Sequence, residues 1–119
     1  MKNFPIKIKR IYDIPLAQDG LRILVDRLWP RGITKERAAI DYWYKEITPS
    51  NDLRKWFAHK EERFNEFSKM YGEELKSQEN LLKQIKQLSH QKPVTLIYAA
   101  KDPKINHAIV LKDVLDKVR

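Results

Sequence analysis

Apolar and polar positions along the chain change period several times, and each change marks an element. Ile6 and Ile8 alternate with Lys7 and Lys9, the period of a half-buried strand, and the lysines suit a sheet edge. AQDG (17–20) is a turn signal, after which RILVDRL (22–28) forms an apolar, β-branched run bounded by Pro30. TKERAA (34–39) reads as a short helix or turn, with Thr34 as N-cap and Arg37 in the third position. YWYKEI (42–47) is aromatic-rich and strand-like and stops at Thr48-Pro49. Ser50 or Asn51 then caps a helical stretch in which Leu53, Phe57, Phe64, Phe67, Tyr71 and Leu75 recur at spacings of three, four and seven. Residues 50–76 form one bent helix or two, with a break near Ala58-His59. Leu81, Leu82, Ile85 and Leu88 mark another amphipathic helix, closed by His90 to Pro93. PVTLIYAA (93–100) is nearly all apolar, as a central strand covered on both faces must be. KDPKIN is a turn, and a last helix runs over 106–118.

Strands separated by helical stretches need crossover connections. The expected fold is therefore α/β: a mainly parallel sheet of three to four strands layered with helices, in a three-layer Rossmann-like or flavodoxin-like arrangement. In such sheets ligands bind beyond the carboxyl ends of the strands, where loops and helix starts converge. With 119 residues, 42% hydrophobic and 34% charged, and no repeat or linker, the chain fits a single domain over 1–119.

Composition narrows the chemistry. The absence of cysteine removes thiol nucleophiles, disulfides and thiolate metal sites. The three histidines lie far apart and in no ligand spacing, so neither a metal nor another cofactor is expected. MKNFPIKIKRIY lacks the apolar stretch of a signal peptide and nothing reaches the length of a membrane span, so no membrane partner and a cytoplasmic location are expected. The formal charge is +8, and residues 1–37 hold 9 basic against 4 acidic side chains, which is +5 of the total. A positive field concentrated on one part of a fold attracts phosphates, nucleotides or nucleic acid, although a basic surface also serves solubility.

The strand ends carry the candidate site. The second supplies Asp26, Arg27, Trp29 and Arg31; the third Ser50 and Arg54; the fourth Lys101, Asp102, Asn106 and His107. Guanidinium groups, a lysine and two helix starts aimed at one crevice favour an anion. Arg27, Trp29, Arg31, Ser50, Arg54, Lys101 and Asn106 are the ligand-binding candidates. Asp26, Asp102 and His107 are the acid/base candidates. Each has a plainer role open to it. The charges can pair into a structural network, Trp29 and Trp56 can simply pack, Ser50 can be an N-cap rather than a nucleophile, and His107 can cap a helix.

The blocks RIYD (10–13), ILVDRLWPRG (23–32), WYKEITPSNDLRKWF (43–57), TLIYAAKD (95–102) and NHAIVL (106–111) resemble the YeaO-like family of bacterial proteins of unknown function, DUF488. The resemblance runs over nearly the whole chain and implies a small single-domain α/β protein without naming a reaction. Three readings follow. The first is a site for a phosphate- or nucleotide-like small molecule, catalytic or not. The second is a nucleic-acid-binding module using the basic N-terminal third. The third is a structural or interaction domain whose strand-end charges hold one another. The sequence leaves the oligomeric state open.

Overall fold

The computed structural model describes residues 4–118, so Met1 to Asn3 and Arg119 lie outside the described residues. Among the described residues four strands form one sheet: β1 Ile6–Arg10, β2 Leu21–Leu24, β3 Tyr42–Trp43 and β4 Val94–Tyr98. Their order is β1-β4-β2-β3 and every pairing is parallel. The α/β class and parallel sheet match the periodicity. The fully buried β4 is central, and lysine-bearing β1 is an edge.

Helices α1 Lys35–Ala38, α2 Asn51–Phe57, α3 Phe64–Leu75, α4 Glu79–Ser89 and α5 His107–Asp116 complete the fold. Alternation along the strands divides the core. Ile6, Ile23 and Leu96 face one side, where Phe67, Tyr71, Ile85, Leu111 and Leu115 of α3, α4 and α5 meet them. Each such side chain contributes about 1.5–3 kcal/mol by leaving water. Leu24 and Ile97 face the other side, which is closed by Ile11, by Ala38 of α1 and by the tryptophans Trp29 and Trp43. This layer is thin, because the connection from β1 to β2 is a loop with one turn of 3-10 helix at Ala17–Asp19.

Lys7 and Lys9 point into that layer and clamp the loop. Lys7 Nζ donates to the Gln18 carbonyl at 2.8 Å, and Lys9 Nζ donates to the Ile14 carbonyl at 2.7 Å and reaches Asp19 at 3.1 Å. Asp19 is buried and also holds the buried Arg22 at 2.6 Å, while Arg22 gives Nε and one terminal nitrogen to the Ala38 carbonyl. The chain then turns into β2 at Gly20, whose φ of +66° and whose approach to Pro93 leave no room for a Cβ.

Local boundaries differ from the pattern in two places. β3 is only Tyr42–Trp43, and Lys45–Ile47 wind into a 3-10 turn closed by the Thr48 hydroxyl and amide on the Lys45 carbonyl. β2 ends at Leu24, four residues before its apolar run does. The break in residues 50–76 falls where expected: Ala58 and His59 take φ of 48° and 57°, and α2 stops there without a glycine. Thr34, Ser50 and Asn106 each accept a backbone amide three residues on, as N-caps do.

Candidate functional site

The early end of β2 opens the site. The amides of Leu21 and Val25 bond the carbonyls of Pro93 and Ile97 at 2.9 and 3.0 Å. The parallel ladder would next send the Ala99 amide to the Val25 carbonyl. Instead the Ala99 amide donates to Asp26 Oδ2 at 2.9 Å, and the Val25 carbonyl accepts from His107 Nε2 at 2.7 Å. A carbonyl only accepts, so Nε2 is the protonated ring nitrogen. The same Nε2 lies 3.1 Å from Asp26 Oδ1, which links the Ala99 amide, Asp26, His107 and the Val25 carbonyl in one chain of contacts. Two side chains thus replace one ladder bond and wedge β2 and β4 apart.

Beyond the wedge the strands diverge. The chain leaving β2 runs to α1 on the thin face, and the chain leaving β4 runs to α5 on the helical face. This is the switch point at which open parallel sheets bind ligands. A cleft of about 910 Å³ occupies it. Its inner wall is apolar, with Trp29, Pro30, Phe57 and Phe67, and the Phe57 and Phe67 rings stack at 4.2 Å.

Nine of the ten sequence candidates line this cleft, but their roles divide. Asp26 and His107 serve the wedge. Asp102 Oδ1 accepts the Lys104 and Ile105 amides at 2.8 and 3.1 Å and shapes the turn before α5. Asn106 is buried, caps α5 through Ile109, and donates to the Asp102 carbonyl. Trp29 packs edge-on against Trp43 at 5.5 Å and gives Nε1–H to the Ile33 carbonyl. Trp43 in turn donates to the Asp26 carbonyl at 2.6 Å, fixing the start of the exit loop. Gly32, at φ +77°, lets that loop turn with open space around it.

Ser50 is the candidate that stands apart. It lines a neighbouring cavity of about 320 Å³, where its hydroxyl and amide both donate to Glu74, at 2.6 and 2.8 Å. Tyr71 also borders this cavity and donates to the Ile47 carbonyl at 2.6 Å. Burial, with the Glu74 and Asp26 charges added, holds its phenol far above the ordinary range.

The cations behave differently from the acids. Arg27, Arg31, Arg54, Lys55 and Lys101 line the cleft, and among the described residues none has a carboxylate within 4.0 Å. Arg54 reaches only the Asn51 side-chain oxygen, at 3.1 Å, and Arg27 only the Pro49 carbonyl, at 3.2 Å. Arg27 Nε is buried with no acceptor. Lys55 and His59 join the lining without having been singled out by sequence. Lys55 follows a nominated arginine on a helix, where neighbours diverge, and the left-handed turn that brings in His59 leaves no composition signal. Among the described residues no group of three or more acidic or histidine side chains could hold a metal ion, and no helix is long and apolar enough to cross a membrane.

Comparison with known proteins covers nearly the whole chain. Residues 5–118 match the family model described as the inactive DUF488-N3 subclade. The uncharacterised protein YeaO of Escherichia coli K12 is 47% identical over 108 residues, covering 91% of this chain and 94% of that one. Uncharacterised proteins of Mycobacterium bovis and Mycobacterium tuberculosis H37Rv are each 37% identical over 111 residues, covering 93% of both chains. No solved structure matches.

Proposed function

This chain belongs to the YeaO-like DUF488 family, and we propose that its strand-end cleft binds a phosphate- or nucleotide-like anion without transforming it. One observation carries the reading: five cations line the cleft and none is neutralised by a carboxylate among the described residues. Cations gathered at one mouth repel one another, and an anion with several oxygens relieves that repulsion while accepting their hydrogen bonds. The apolar wall formed by Phe57, Phe67 and Trp29 suits an organic portion such as a base.

Binding without turnover is the better account of the acid/base candidates. Asp26, Asp102 and His107 are each committed to backbone groups, and the description of the matched subclade as inactive accords with that. The nucleic-acid reading draws less support, because part of the basic N-terminal third is engaged within the chain. Lys7, Lys9, Arg10 and Arg22 all donate to backbone carbonyls, and Arg22 is buried.

Calorimetric titration with inorganic phosphate and with a nucleoside monophosphate tests the proposal. Wild type should bind, and Arg31→Ala and Arg54→Ala should each weaken binding at least about tenfold. Unchanged affinity in both variants, or no binding by wild type, would refute it.

A further inference from the structure

Arg27 differs from Arg10 and Arg22, the arginines of β1 and β2, in how its guanidinium edge is used. On Arg22 the adjacent Nε and terminal N–H groups both donate to the Ala38 carbonyl, at 3.1 and 2.9 Å. On Arg10 the same edge spans the Ala100 and Ala99 carbonyls, at 2.9 and 3.5 Å. On Arg27 the terminal nitrogen donates to the Pro49 carbonyl at 3.2 Å while the neighbouring Nε donates to nothing. It is the one buried side-chain polar atom among the described residues left in that condition. A buried donor without an acceptor destabilises the arrangement that contains it.

The residue is also placed to move. Arg27 lines both the main cleft and the smaller neighbouring cavity, so its side chain borders open space in each. The main cleft is where the other cations point without carboxylate partners.

We propose that Arg27 is the specificity-determining residue of the cleft: on binding it leaves the Pro49 carbonyl and turns its Nε and terminal N–H groups onto two oxygens of an oxoanion. The inference rests on the anion-binding reading above and adds a ligand class to it. A fork of two parallel donors fits phosphate, a phosphate ester or a carboxylate, and gains nothing from a halide. The Pro49 carbonyl is easily released, since an acceptor tolerates a missing partner better than a donor does. Lysine cannot replace arginine here, because an ammonium group has no planar fork.

The test uses inorganic phosphate as the probe, with calorimetry and thermal melts on wild type, Arg27→Ala and Arg27→Lys. Both variants should lose at least about tenfold in affinity, and both should melt within about 2 °C of wild type because the side chain they remove was incompletely bonded. Phosphate affinity in Arg27→Lys close to that of wild type overturns the inference, as does a melting temperature many degrees lower in both variants. In wild type, the Arg27 Nε–H resonance in a proton–nitrogen spectrum should shift downfield on saturation with phosphate. An unmoved resonance in a protein that binds phosphate also overturns it, and this measurement requires no variant to fold. Absence of phosphate binding by wild type is a different result: it removes the anion-binding reading itself.

Discussion

Asp26 and His107 face each other at 3.1 Å in the gap between two strands, and each holds the backbone group that the other strand has given up. The pair is a splice in the sheet. Asp26→Ala should lower stability by about 2 kcal/mol, since the Ala99 amide loses its acceptor. His107→Ala should lower it by about 1 kcal/mol, because an orphaned carbonyl is less demanding. The double variant should fall short of the sum by more than about 0.5 kcal/mol. Urea denaturation of the four proteins gives the cycle, and strict additivity would show that the two residues act independently.

The cleft cations should show the opposite profile. Arg31→Ala, Arg54→Ala and Lys101→Ala each remove an exposed charge that has no carboxylate partner, so stability should stay within about 0.5 kcal/mol of wild type. Phosphate affinity should weaken as salt rises, because mobile ions screen exposed charges. Melting curves and titrations at two ionic strengths check both halves.

Local signals carried well: the alternation around Lys7, the caps Thr34 and Ser50, and the break at Ala58-His59 are each set by neighbours within one turn. The strand-end rule also gathered nine of ten candidates at one cleft. What the chain did not disclose depends on distant partners. Nothing near Asp26 announces that Ala99 and His107 will meet it, so the chain displays its carboxylate but not the backbone amide that it holds. Arg22 read as an ordinary strand residue because Ala38, whose carbonyl accepts two of its N–H groups, reaches it only through the fold. YWYKEI has strand-like side chains, yet among the described residues its only sheet neighbour is β2, and β2 ends at Leu24.

Asp19 should govern part of the acid limb of stability. Burial alone would raise its pKa, but the Leu16 amide, Lys9 and Arg22 outweigh that and hold it below the ordinary value. A carboxyl depressed in the folded state contributes its stabilisation above the unfolded value of about 3.9, and loses it as pH falls through the folded value. Asp19→Asn should therefore cost about 3 kcal/mol at neutral pH, as breaking a buried pair does. Its deficit relative to wild type should shrink below about pH 4. Denaturation at pH 7 and pH 3 distinguishes this from a uniform loss.

Gly20→Ala should be among the most damaging small substitutions. An added Cβ would sit 2.1 Å from the Pro93 carbonyl oxygen, at a φ of +66°, and Leu21 donates to that same carbonyl to start the β2–β4 ladder. A loss of at least about 2 kcal/mol is expected, combining backbone strain with a displaced strand. By contrast Gly32→Ala meets no atom within 4 Å and should show the strain alone. Chemical denaturation of the two variants side by side measures the difference.

The position of β4 has a consequence for how the protein comes to exist. β1 and β2 never touch in the sheet, since each pairs with β4, and β4 begins only at Val94. During synthesis the first two strands must wait, unpaired, until most of the chain has emerged, with only the two-residue contact to β3 available to β2. A nascent chain stopped before Val94 has no more of the sheet than the two-residue pairing of β2 with β3. Assembly is therefore a late, nearly all-or-none event dominated by distant contacts, which makes refolding slow and leaves the waiting edges as the stage most exposed to aggregation.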